Sequence, residues 1–317
     1  MKRSGSELRQ TRQRGMALLT AMLTVALIAT LAATALWQQW RSLQVETAER
    51  QRQQAHWLLT GALDWARLVL REDARSGNTD HLAEPWALPL QEARLSSFLA
   101  MSNEGVSEDD ASLAEQVFLS GQIVDLQSRL NVFNLIQDNQ ASATDVAAFD
   151  RLFELLSLPR ASLDTLVRQL LAARRADGAV LMPQRVAQLT WVGLSPAQLA
   201  RLAPFITWLP VRTAVNLNTA SAEVLYASVP RLPLAQAQRA IQQREAQHWR
   251  SLEEATQTLG EGGAQVSSQF HTVSSNYFEV LASVRLGHLP VTERSVIQRD
   301  DNQRILWREQ GALAGLP

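Results

Sequence analysis

Arg12-Gln13-Arg14-Gly15 is followed by MALLTAMLTVALIATLAATALW, Met16 to Trp37, a run of 22 residues with no charged side chain. About 20 apolar residues cross a bilayer as a helix. A helix also satisfies every backbone N–H and C=O within the segment, which hydrocarbon demands. Lys2, Arg3, Arg9, Arg12 and Arg14 precede the run against Glu7 alone. That asymmetry predicts a cytoplasmic N-terminus with the rest of the chain across the membrane. An ordinary secretory signal has a shorter apolar core closed by a small-residue cleavage site. Here the core is long, and Ala32-Ala33-Thr34-Ala35 is a weak site. Two readings remain: an uncleaved signal anchor, or a cut between Gly15 and Met16 that leaves the apolar helix on the mature chain.

Residues 38–54 are polar and contain neither Gly nor Pro, so the helix is expected to continue. Ala55, Leu58, Leu59, Ala62, Ala66, Val69 and Leu70 then recur at three-to-four spacing, one face of an amphipathic helix. Trp57 and Trp65 flank that face and are expected to pack in the core. The helix should stop between Arg71 and Ser76, before a Gly77-Asn78 turn. In the loop-rich stretch 77–115, Asp80 and Glu84 offer oxygens for a hard cation. A polar loop around an anchored Trp86 is the plainer reading.

Residues 117–135 suggest strands broken by Gly121, with a turn at Gln127-Ser128. From about 144 the apolar period becomes helical. Pro159 and Pro230 end helices, Ser162 and Ser195-Pro196 open them, Asp177-Gly178 is a turn, and Ser251 to Glu254 fits a capping box before Gly260. From Tyr277 onward Phe278, Val280, Ala282, Val284 and Leu286 alternate. Val291 to Gln298 and Arg304 to Arg308 make a hairpin around Asp300-Asp301-Asn302. Strands thus flank a helical block. A lone hairpin is unstable, so one sheet built from both flanks is the economical solution. The expected fold is α+β: a long N-terminal transmembrane helix packed on an antiparallel sheet, with a large all-helical domain inserted between strands. The boundaries are a leader 1–15, a transmembrane helix 16–37, a first sheet segment 38–135, an inserted helical domain 136–262 and final strands 263–317.

The basic leader, Gly15 and apolar helix together resemble the prepilin signal of type IV pilins and pseudopilins. Most pilin-like subunits carry Glu at the fifth mature position; counted from Met16, that position is Thr20. Thr there, the acidic-Pro-Trp loop at 84–86, the Asp125/Arg129/Asn131/Asn134 segment and the helical insertion resemble the K-type minor pseudopilins of type II secretion. Phe133 stands where those proteins often have a second Asn. The resemblance implies a pilin-like fold and a non-catalytic subunit at the tip of a pseudopilus, working in protein export. It implies an inner-membrane anchor with a periplasmic head, and I- and J-type minor pseudopilins as partners. It also implies a prepilin peptidase that cuts after Gly15 and methylates Met16. K-type subunits bind calcium, and hard oxygen donors suit that ion. Asp125, Asn134 and Asn276 are the expected ligands, converging where the insertion leaves the sheet. The alternatives are a minor pilin of an adhesive or DNA-uptake type IV pilus, and a membrane-anchored periplasmic enzyme.

Other chemistry finds little support. With 30 basic and 31 acidic residues the net charge is −1, and loss of residues 1–15 leaves −5. No basic excess remains to grip nucleic acid. Val215 to Arg244 resembles the helix-hairpin-helix modules of DNA-uptake proteins. Its connection, Pro230-Arg231-Leu232-Pro233, has no glycine and lacks two N–H donors. There is no cysteine, which excludes disulfides and thiol nucleophiles. His56, His81, His248, His271 and His288 show no ligand spacing. Ser274-Ser275 beside His271 is better explained as a strand-entry loop than as a nucleophile.

Overall fold

The computed structural model describes residues 6–97, 115–174, 181–286, 289–300 and 302–311. The Asp177-Gly178 turn, His288, Asp301 and the first five leader residues lie outside them. The chain divides into two compact units, Met1–Trp57 and Leu58–Pro317. One helix, α1, runs over Ser6–Ser76. It ends where the sequence predicts, because Gly77-Asn78 cannot continue it.

Every residue from Met16 to Trp37 is exposed, and this is a stretch long and apolar enough to cross a membrane. Its polar side chains are satisfied within the helix. Thr20 donates to the carbonyls of Met16 and Ala17, and Thr24, Thr30 and Thr34 each donate to the carbonyl three residues back. A threonine can therefore sit in hydrocarbon at little cost, where a carboxylate cannot.

In the second unit, α1 presents Leu63, Ala66 and Leu70 to a cluster with Trp86, Ile123, Phe278, Val280 and Ile297. Burying a leucine of this kind stabilises by about 1.5–3 kcal/mol. Trp57 and Trp65 depart from expectation: they are 72% and 52% exposed. Within the second unit, Trp65 flanks the apolar stripe but falls outside the arc that meets the sheet.

That sheet is a five-stranded antiparallel meander: β1 (Leu90–Arg94), β2 (Val117–Asp125), β3 (Tyr277–Leu286), β4 (Leu289–Gln298) and β5 (Arg304–Gly311), in spatial order 1-2-3-4-5. Gly121 does not break β2. It pairs with Ala282 across the ladder, and a Cβ there would lie 2.7 Å from the Leu281 carbonyl oxygen. The glycine permits close strand approach within a continuous strand. The alternation from Tyr277 predicts a single buried face. At that end both faces are covered, because Tyr277 and Val296 pack with Leu126 and Leu209 on the side opposite α1.

The helical block lies between β2 and β3: α2 (Ala143–Leu155), α3 (Arg160–Arg174), α4 (Pro196–Leu202), α5 (Ala222–Ser228), α6 (Leu234–Ala246) and α7 (Leu252–Thr258). Its core runs from Leu130 to Leu259 and includes Phe149, Phe153 and Leu225. Ser195 caps α4 with a reciprocal bond from Gln198, and Gly260 at φ +58° ends α7, as their residue types predict. Ser162 does not open α3. The helix starts at Arg160, and the Ser162 hydroxyl accepts from Gln198.

Candidate cation site at the junction of helical block and sheet

Asp125 closes β2 and is 2% exposed. One oxygen caps the following 3-10 turn, accepting from Gln127 N at 2.7 Å. The other accepts from the hydroxyls of Ser275 (2.6 Å) and Thr219 (2.5 Å) and from the Asn216 amide (3.1 Å). Burial pushes this carboxyl up to about 6, against the pull of those donors. Asn216 sits at the centre. Its amide also donates to Ser275 and to the Asp80 carbonyl, and its oxygen accepts from Asn218 N at 3.0 Å. Asn218 in turn holds Trp249 through both backbone groups. Arg244 is buried and donates to the carbonyls of Leu217 and Ala220. The Asn216-Leu217-Asn218-Thr219 opening is therefore an internal brace, its Asn and Thr side chains bonded within the protein. Arg231 takes φ +62° in the connection where a glycine would sit in a hairpin.

Beside this brace three carboxylates converge. The nearest oxygens of Asp73, Asp80 and Glu84 lie within 4.8 Å of one another. Asp73 comes from the last turn of α1, and Asp80 and Glu84 from the loop after it. Arg299 reaches in from the end of β4, donating to Asp73 at 2.7 Å and to Asp80 at 2.6 Å. Ser275 N also donates to Asp80, leaving the other Asp80 oxygen buried without a partner. Glu84 accepts from His81 N and from the Trp86 indole, both at 2.8 Å. Burial, then repulsion from Glu84 and Asp80, pushes Asp73 up to about 7, with Arg299 pulling the other way.

Three carboxylates face one guanidinium, and one buried oxygen is orphaned. That donor set fits a hard dication, which takes carboxylate oxygens and balances the excess charge. The trio expected from the sequence is not what assembles. Asp125 has both oxygens occupied, and Asn134 closes its amide on both backbone groups of Thr213. Asn276 meets Gln127 and Arg299 through its backbone. No hydrogen bond joins Asn134 to Asp125 or Asn276 among the described residues. Asp80 and Glu84 are the oxygens read from the loop; Asp73 and Arg299 are additions. An acid in the last helical turn, where the dipole disfavours it, was the available signal for Asp73. Gly15 and Met16 both lie within α1, Met16 exposed.

The family model for type II secretion system protein K matches residues 215–274, the span that holds the brace. Similarity to whole proteins extends much further. Type II secretion system protein K of Pseudomonas aeruginosa is 28% identical, covering 96% of this chain and 95% of its own length. That of Klebsiella pneumoniae is 29% identical, covering 91% and 93%. The chain is thus similar to type II secretion system protein K along nearly its whole length. The fold agrees: a chain in the crystal structure of the GspK-GspI-GspJ complex from enterotoxigenic Escherichia coli superposes with a TM-score of 0.63. It shares 19% identity and covers 83% of this chain and 98% of that one. The likeness to protein K is carried both by the brace segment and by similarity along nearly the whole length. His81 and His248, which stack at 3.7 Å between ring centroids, add a second tie between the loop and the helical block.

Proposed function

We propose that this chain is a non-catalytic minor pseudopilin that ends the pseudopilus of a type II secretion system and works in protein export across the outer membrane. The observation that carries the reading is near-full-length similarity to protein K sequences together with an exposed apolar helix at the N-terminus. The helix anchors the chain in the inner membrane, with the head in the periplasm. A prepilin peptidase cuts after Gly15 and methylates Met16. The complex named for the structural neighbour supports I- and J-type minor pseudopilins as partners. The α-helices inserted between adjacent strands, six among the described residues, make a head that a filament can end on and not stack beyond. A calcium ion held by Asp73, Asp80 and Glu84 would brace the loop after α1 against β4 and the helical block.

Co-expression with the I- and J-type subunits tests the assignment. The full chain should elute with both in detergent as one complex of fixed stoichiometry. Elution alone, while the I- and J-type subunits associate with each other, overturns it. Mass spectrometry of the N-terminus tests processing: the chain should begin at N-methylated Met16, and a start near Ala35 would refute the cut after Gly15.

A further inference from the structure

A cleft of about 270 Å³ opens between the β3–β5 part of the sheet and the segments on either side of α4. Leu126, Ile206 and Val296 form its buried apolar floor, and Trp208 and Trp307 add indole surface. Its charges are nearly, but not fully, matched. Arg294 pairs with the buried Glu279 at 2.5 Å, and Arg185 pairs with Glu309 at 3.1 Å while lying over Trp307. Arg129, at the end of the turn capped by Asp125, forms no ion pair and donates no side-chain hydrogen bond among the described residues. Burial lowers its pKa and Arg294 adds to that, while Glu279 and, more weakly, Asp125 offset part of it. A guanidinium stays charged at neutral pH all the same.

Three cations against two carboxylates leave one positive charge in a partly desolvated cleft. An unpaired desolvated charge is costly until an anion meets it. A carboxylate matches the guanidinium fork with two parallel bonds. The volume falls below the roughly 300–1,000 Å³ of small-molecule pockets, so the space suits one or two side chains of a longer chain. The indoles and the aliphatic floor favour an apolar neighbour beside the acid. We propose that this cleft binds an extended acidic peptide segment, seating a carboxylate on Arg129 and an adjacent apolar side chain against Trp208 and Trp307.

The test is calorimetric titration of the full chain in detergent with blocked Gly-Glu-Leu-Gly and its Gly-Gln-Leu-Gly analogue. The glutamate peptide should bind at least about tenfold more tightly, the difference that one ionic contact of this kind makes. R129Q should remove that preference. E309Q, at the solvent-exposed rim, should strengthen it by freeing the Arg185 charge, and this second variant does not depend on the fold tolerating a change at Arg129. Equal binding of the two peptides by the unmodified chain overturns the proposal. So does a preference that survives undiminished in a folded R129Q protein.

Discussion

Asn216→Ala should be among the most damaging single changes in this chain. The substitution removes one amide that makes four bonds. Asn218 N–H loses its only acceptor among the described residues, at 3.0 Å, and the Asp80 carbonyl loses a donor at 3.2 Å. Both groups lie in a region where Asn216 is fully buried. Leaving a buried polar group unpaired costs about 1–3 kcal/mol, so the two together cost about 2–6 kcal/mol. Asp125 and Ser275 keep other partners and add little. The sum is a large share of the roughly 5–15 kcal/mol that holds a protein folded. Asn216→Asp discriminates the cause. It keeps the acceptor for Asn218 N–H but places a carboxylate oxygen against Asp125, so it should be poor at neutral pH and recover part of its stability near pH 4. Urea unfolding of the full chain in mild detergent, followed by tryptophan fluorescence at both pH values, measures this. A loss below about 1 kcal/mol for the alanine variant would refute the brace.

Three further outcomes are expected. Asp125 has its carboxyl raised from 3.8 to about 6 by burial, so the folded state holds its proton more tightly than the unfolded state. Its contribution is present below pH 3.8 and is lost as pH rises through 6, about 3 kcal/mol in all, and Asp125→Asn should flatten that slope in pH-dependent melts. If calcium occupies the Asp73, Asp80 and Glu84 site, chelation should lower the melting temperature and calcium, not zinc, should restore it. The gain is about 2.7 kcal/mol at 100 times the dissociation constant, and Asp80→Asn should abolish the response. Glu293 is 2% exposed and takes a two-bond contact from Arg308, so Glu293→Gln should cost about 3 kcal/mol by denaturant unfolding. The low end of the buried-pair range applies because the Arg308 side chain remains 30% exposed.

The architecture was legible because its signals are local. An apolar run of 22 residues, a change of period near residue 144 and alternation after Tyr277 each report on neighbours in the chain. Helix limits followed from caps such as Ser195 and stops such as Gly260. The site was less legible because it joins three distant stretches: the end of α1 with the loop after it, the brace at 216–219 and the end of β4. Sequence picks out Asp125 and Asn134 as polar residues in an apolar segment, and both are indeed buried. It does not say that each is consumed by backbone and hydroxyl partners. Trp57 and Trp65 show the same limit. An aromatic at the edge of an amphipathic stripe falls inside or outside the contact by the few degrees that the opposing surface decides.

The placement of the helical block between neighbouring strands has a consequence for the order of folding. Asp125 on β2 pairs with Phe278 on β3. Closing a disordered loop of about 150 residues to form that pair costs about 4 kcal/mol of chain entropy beyond a constant. If the block has already condensed around Phe149, Phe153 and Leu225, its two ends emerge side by side and the loop is in effect a few residues long. Helices with neighbours close in sequence form faster than distant strand pairs. The centre of the sheet should therefore be a late event, with β3, β4 and β5 zipping as local hairpins and β2 joining only after the block has drawn the two halves of the chain together.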